Sequence, residues 1–251
     1  MAEDYLLVTE GLTMDFQGFV AVKDVALKVR RGSIHGLIGP NGAGKTTCFN
    51  LLTKFLTPTR GRMIFDGRDI VGLSAASVAR LGMVRSFQIS AVFPHLTVLE
   101  NVRVALQRRR GRSFDFWRGE PVLEVYRARA LELIEAVGLG EFAATPAVQL
   151  PYGRKRALEF ATTLALDPQM LLLDEPTAGM GRDDIDRVVA LIRKAAADRT
   201  VLMVEHNLSV VSRLCQTITV MARGEVLDEG DYASVSQSPA VIEAYMGTAH
   251  V

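Results

Sequence analysis

The stretch Gly39-Pro-Asn-Gly-Ala-Gly-Lys-Thr-Thr47 constrains what this chain can fold into more than any other. Its core, Gly39 to Thr46, fits the phosphate-loop pattern G-x-x-x-x-G-K-[ST] without a mismatch. Ser33-Ile-His-Gly-Leu-Ile38 ahead of it reads as a short buried strand, and Thr47-Cys-Phe-Asn-Leu-Leu-Thr-Lys-Phe55 behind it as a helix. Between the two, Gly39, Gly42 and Gly44 let the backbone curl around Pro40, Asn41 and Ala43, so that successive N–H groups point at phosphate oxygens. The helix that carries Thr47 turns its positive end to the same place. Lys45 would reach the β- and γ-phosphates, and the Thr46 hydroxyl would ligate Mg²⁺. A glycine-rich turn that holds a lysine by accident has no reason to sit between strand and helix. The expectation is a nucleoside triphosphate site.

Bulk properties narrow the rest. At 251 residues, 49% hydrophobic and 23% charged, the chain is ordinary for a globular protein and long enough to bury a substantial core. A net charge of +1 argues against a nucleic-acid partner or a strong pull toward an anionic membrane. Two cysteines, Cys48 and Cys215, imply no disulfide framework and fit a reducing compartment. Cys48 abuts the phosphate loop, where a small core-filling side chain outweighs a redox sensor. The N-terminus does not read as a signal peptide, and no apolar run approaches membrane-spanning length. Any work at a membrane is expected to proceed by docking.

Along the chain, residues 5–38 alternate like antiparallel strands. Arg62–Gly67 reads as a further strand, Ser74–Leu81 as a helix stopped by Gly82, and Met83–Gln88 as a strand. From Gln88 to Leu166 the texture turns helical. Thr97-Val-Leu-Glu100 is a capping box opening a helix that runs to the arginines at 108–112, read as a solvated helix end rather than a nucleic-acid or headgroup patch. A loop with Trp117 follows, then helices over Val122–Val137 and Gly153–Leu166. Strands at Met170–Leu173, Thr200–Val204 and Thr217–Ala222 alternate with helices over Asp183–Ala197 and after Asn207; a hairpin around Gly224 and a helix Pro239–Met246 close the chain. The simplest architecture is an α/β phosphate-loop core with an antiparallel β subdomain and an inserted helical subdomain, 89–166, within one domain spanning 1–251.

Met170-Leu-Leu-Leu-Asp-Glu175 is an apolar strand ending in two acids. Beside a phosphate loop, Asp174 supplies a second contact to Mg²⁺ and Glu175 is placed to polarise an attacking water. Read alone, the same run is a strand whose acids start a turn.

Taken in order, these elements resemble the ATP-binding-cassette ATPases over nearly the whole chain. The resemblance implies ATP as nucleotide and gives roles to further residues. Phe16 falls where that family stacks an aromatic on adenine. Gln88 falls at the glutamine loop that senses Mg²⁺ and the attacking water. Leu150-Pro-Tyr-Gly-Arg154 falls at the signature pentapeptide, Thr177-Ala-Gly-Met-Gly181 at the loop after the base, and His206 at the switch histidine on the γ-phosphate. The residues alone leave open a strand-core Phe16, a surface-amide Gln88 and a His206 that merely neighbours a helix cap. Two departures stand out. Pro151 and Tyr152 replace the signature serine and first glycine, keeping Gly153, and Gly181 stands where an aspartate or asparagine is usual. Both bear on how the chain completes a partner's site and leave its own nucleotide loop untouched.

Within the family, the chain is similar to the ATPase subunits of branched-chain amino acid importers and related amide importers. That likeness rests on Arg85-Ser-Phe-Gln88, Phe93-Pro-His-Leu-Thr-Val-Leu-Glu-Asn101, Val204-Glu-His-Asn-Leu208 and the tail Ser238-Pro-Ala-Val-Ile-Glu-Ala-Tyr-Met-Gly247. It implies a second cassette subunit, two membrane permeases whose coupling helix meets the surface near Gln88 to Leu99, an external substrate-binding protein, and a peripheral location on the cytoplasmic face of the inner membrane. An exporter or lipopolysaccharide-extraction ATPase, and a regulatory ATPase outside transport, are the alternatives.

Overall fold

The computed structural model describes residues 4–86, 92–108 and 124–246. The chain packs as two compact units, the first being Met1–Arg85, Gln169–Ala178 and Ile192–Val251, the second Ser86–Pro168 with Gly179–Leu191.

In the first unit, the alternation of residues 5–38 becomes β1 (Tyr5–Phe16), β2 (Phe19–Val25), β3 (Lys28–Arg30) and β4 (Ile34–Ile38). β1 pairs antiparallel with β2, β3 and β5 (Arg60–Phe65), and β6 (Arg68–Asp69) closes that sheet. Thr9, buried inside β1, donates its hydroxyl to Val25 O and accepts from Leu27 N, so it brings no unpaired polar group into the core. The strand expected at 62–67 lies two residues earlier because Asp66 (φ 49) and Gly67 (φ 73) take the left-handed turn into β6.

A second sheet runs in the order β11-β10-β4-β9-β8-β7, from β7 (Met83–Ser86), β8 (Met170–Asp174), β9 (Thr200–Val204), β10 (Thr217–Ala222) and β11 (Glu225–Gly230). β10, β4, β9 and β8 are parallel, and β11 returns antiparallel to β10. Every residue of β4, β8 and β9 is buried, which is why each reads as an unbroken apolar run. Phe87 and Gln88, expected to continue β7, lie outside the described residues.

The helix behind the phosphate loop, α1 (Lys45–Leu52), starts two residues before the expected Thr47 because Gly44 (φ 95) forms its N-cap. It stops short of Phe55 because Lys54 (φ 61) turns left-handed. α2 (Ala75–Arg80) is capped by Ser74, whose side chain accepts from Ser77 N at 3.3 Å.

The second unit is helical. α3 (Val98–Arg108) opens on the expected capping box: Glu100 N donates to Thr97 Oγ1 at 3.2 Å, and Thr97 N donates back to Glu100 Oε2 at 2.7 Å. The Thr97 N–H and the Thr97 hydroxyl, both donating to Glu100 Oε2, hold that carboxyl below its ordinary range. Buried Asn101 accepts from Phe93 N at 2.7 Å and donates to Leu96 O and Thr97 O, stapling the loop ahead of α3. The expected arginine cluster past Arg108, the Trp117 loop and the start of the Val122 helix fall outside the described residues; the helix itself is described as α4 (Arg127–Ala136). α5 (Tyr152–Ala165) and α6 (Arg182–Ala195), the latter up to Leu191, complete this unit.

In the first unit again, α7 (Leu208–Leu214) follows an Asn207 cap, and α8 (Tyr232–Gln237) and α9 (Pro239–Met246) pack Val235, Val241 and Tyr245 against Ile38, Ile218 and Val220. The sequence reading has no α8.

Candidate active site

The phosphate loop leaves the carboxyl end of β4. A Cβ at Gly39 (φ 148) would meet Met221 O at 2.1 Å, and one at Gly44 (φ 95) would meet Ala21 O at 2.5 Å. Only glycine fits at either position, so the loop's path is held by neighbouring backbone. Lys45 Nζ donates to Gly39 O at 2.7 Å and Pro40 O at 2.8 Å. Desolvation lowers its pKa from the ordinary value, and nearby Glu175 pulls in the opposite direction. Cys48 is wholly buried and its thiol is pushed up to about 12 by burial, so it fills space and does not react.

Three neighbouring parallel strands end within a residue of the same level. β9 sits between β4 and β8, with Val204 opposite both Leu37 and Asp174. The residues that follow each strand therefore emerge together: the loop from Gly39, Glu175 after β8, and Glu205 and His206 after β9. Carboxyl ends of adjacent parallel strands are where α/β sheets bind ligands. Asp174 is buried and paired with the Arg85 guanidinium, which also donates to Asn50 Oδ1 at 2.7 Å. Glu175 adopts φ 45, with its N–H on Val204 O at 2.9 Å. Its Oε1 lies 3.8 Å from His206 Nδ1.

Mg²⁺ asks for oxygen ligands in few numbers, since it keeps waters and phosphate oxygens. Among the described residues no three His, Cys, Asp or Glu side chains gather as a metal site. A single carboxylate, Asp174, and the hydroxyl of Thr46 in the first turn of α1 suit that demand.

The structure thus brings Lys45, Asp174, Glu175 and His206 into one unit, while Gln88 lies outside the described residues. Phe16 is 43% exposed at the end of β1, which removes the strand-core reading. His206 precedes Asn207, whose Oδ1 accepts from Ser209 N at 3.1 Å as the α7 cap. Gly153 lies in the second unit, in the first turn of α5 beside the Asp184 carboxylate, where a Cβ would come within 3.0 Å. The helix expected from Gly153 starts one residue earlier, and Pro151 occupies its N-cap (φ −57, ψ 158), where it offers no side-chain acceptor. Gly181 immediately precedes α6, and its carbonyl accepts from Ile185 N at 3.0 Å. Neither Arg85 nor Glu205 takes a role from the motif that contains it; a charged residue directly after an unbroken apolar strand is the signal that singles Glu205 out.

A phosphate loop from one parallel strand, an acid pair ending another and a histidine following the strand between them define a phosphate-loop ATPase. Residues 22–178 match the ABC transporter family. The chain is 40% identical to the high-affinity branched-chain amino acid transport ATP-binding protein BraF of Pseudomonas aeruginosa, over 97% of this chain and 98% of that one. It is 37% identical to LivG of Escherichia coli, which carries the same description, over 97% and 98%. Among solved structures it is similar to the ADP conformation of MJ1267, an ATP-binding cassette of an ABC transporter, with a TM-score of 0.84, 27% identity and coverage of 97% and 99%. The chain belongs to the ABC transporter family, as one of its ATP-binding cassettes.

Proposed function

We propose that this chain is the ATP-hydrolysing subunit of an importer for branched-chain amino acids or related small amides. The observation that carries the reading is the common level at which the phosphate loop, Glu175 and His206 leave adjacent parallel strands. The descriptions of full-length relatives support the solute class.

ATP binds with its phosphates in the backbone cradle of Gly39 to Thr47 and its β- and γ-phosphates on Lys45; adenine stacks on Phe16. Thr46 and Asp174 would hold Mg²⁺, with Gln88 as the further contact that the family resemblance implies. Bound there, Mg²⁺ neutralises charge developing on the phosphates. Asp174 is oriented for this by Arg85. Glu175 takes the proton of the attacking water, and His206 donates to the γ-phosphate. Gly153 offers its N–H to the nucleotide of a second cassette subunit. Two permeases and, indirectly, an external binding protein complete the assembly, with the chain peripheral on the cytoplasmic face of the inner membrane. The whole of 1–251 acts as one cassette domain with a helical subdomain at 89–166.

Glu175→Gln tests the chemistry. ATP affinity stays while hydrolysis falls by roughly a hundredfold or more, because water loses its base and the phosphate contacts persist. Steady-state phosphate release near the wild-type rate would remove Glu175 from that role.

A further inference from the structure

Glu205 is wholly buried, and no step above uses it. It follows directly on β9, so an apolar strand leads into a carboxylate that solvent does not reach. Such a group is tolerated only where donors fill its lone pairs. One oxygen accepts the Thr177 N–H at 3.2 Å and also the Thr177 hydroxyl. The other accepts the N–H groups of His206 at 2.8 Å and Asn207 at 3.0 Å. The first two donors lie in the loop that follows Glu175, the last two in the turn that presents His206. His206 Nδ1 stands 3.8 Å from Glu205 Oε2 and 3.8 Å from Glu175 Oε1.

We propose that Glu205 is a positioning residue for hydrolysis: it clasps the two loops that carry Glu175 and His206 and so sets the separation of those side chains. The inference rests on the hydrolytic reading above. Glu175 holds a left-handed backbone (φ 45) that a non-glycine residue keeps only when its surroundings fix it on both sides. Its own N–H is fixed on Val204 O, and the clasp fixes Thr177 beyond it. Lys45 bonds the carbonyls of Gly39 and Pro40, and Glu205 bonds neither. Losing the clasp therefore reaches the chemical step, while the Lys45 and phosphate-loop contacts that dominate nucleotide binding persist, a selectivity that a carboxylate merely filling space would not give.

Glu205→Gln keeps the volume, but its amide nitrogen cannot accept, so donors on one loop lose their partner. Thr177→Val removes the hydroxyl at nearly constant shape, and Thr177→Ser returns it. Hydrolysis of Mg-ATP is measured for wild type and variants in complex with the second cassette subunit and permeases proposed above, with nucleotide affinity of the full chain from equilibrium fluorescence. Glu205→Gln lowers kcat roughly ten- to hundredfold, with KM and affinity within about twofold of wild type. Thr177→Val lowers kcat less, Thr177→Ser restores it, and the double variant falls no further than Glu205→Gln alone. An unchanged kcat in Glu205→Gln overturns the proposal, as does a loss carried by KM, a multiplicative double variant or no rescue by serine. Should Glu205→Gln fail to fold, the Thr177 pair decides the matter alone. An inactive wild type sinks the hydrolytic reading along with this one, whereas an active wild type with an equally active Glu205→Gln sinks only this one.

Discussion

His35, the second residue of β4, is 1% exposed. Its Nε2 lies 2.7 Å from Thr219 Oγ1, and the Thr219 hydroxyl donates onward to Glu229, so a neutral imidazole donates to Thr219. Glu229, itself partly solvated and 4.0 Å away, does too little to favour a charge there, and burial brings the His35 pKa down to about 4. The unfolded chain binds this proton near the ordinary 6.5, the folded one only near 4. The stabilisation is therefore complete above pH 6.5 and is lost as pH falls toward 4, by about 3 kcal/mol in all. Denaturant titrations across that range should show wild type losing more stability than His35→Gln; parallel curves would mean that His35 charges freely in the fold. At this scale legibility depended on sequence distance. The spacing of Lys45 from Gly39, and of Glu175 from the apolar run before it, is local and was readable. The partners of Glu205 and Arg85 are not: Thr177 is 28 residues from Glu205, and Asp174 is 89 from Arg85. No motif joins either of these pairs, as the phosphate loop and the acid-ended strand are joined.

Elements were legible where their ends carry their own chemistry. The capping box at Thr97 and the Asn207 cap announce α3 and α7, because the residues that satisfy the helix ends sit inside the motif. α8 was missed because Asp231 caps only six residues, too few for a period to show. Strand and helix ends shifted by two or three residues wherever a left-handed residue intervened, as Lys54 and Asp66 do. At α5 the start differs by a single residue, and Pro151 stands at the N-cap, where serine is among the strongest residues. Pro151→Ser should stabilise that helix start by about 1 kcal/mol. In the cassette pairing proposed above it also adds a hydroxyl to a charged phosphate, tightening the ATP-bound homodimer roughly ten- to hundredfold. Sedimentation with Mg-ATP in the Glu175→Gln background measures this; a tight homodimer already present with Pro151, and unchanged by serine, would show that the loop works through another contact.

For the molecule as a whole, the α/β class was readable from alternating strand and helix texture, but the sheet order β11-β10-β4-β9-β8-β7 was not. That order interleaves early and late strands, and one apolar run looks much like another once both faces are covered. Among the described residues no helix is long and apolar enough to cross a membrane. With permeases as the proposed anchor, the isolated chain should stay in the aqueous fraction on liposome flotation and rise with vesicles only when those subunits are inserted. Flotation with protein-free lipid would point to direct attachment instead. The shared level of Leu37, Asp174 and Val204 carries one more consequence. Strand pairing advances in whole residues, and a slip of one turns a buried side chain to the opposite face. The offset between loop, acid and histidine is therefore quantised: deleting a single residue from β4, β8 or β9 has no half-measure between an aligned site and none, whereas lengthening a connection remote from those strand ends leaves the alignment whole.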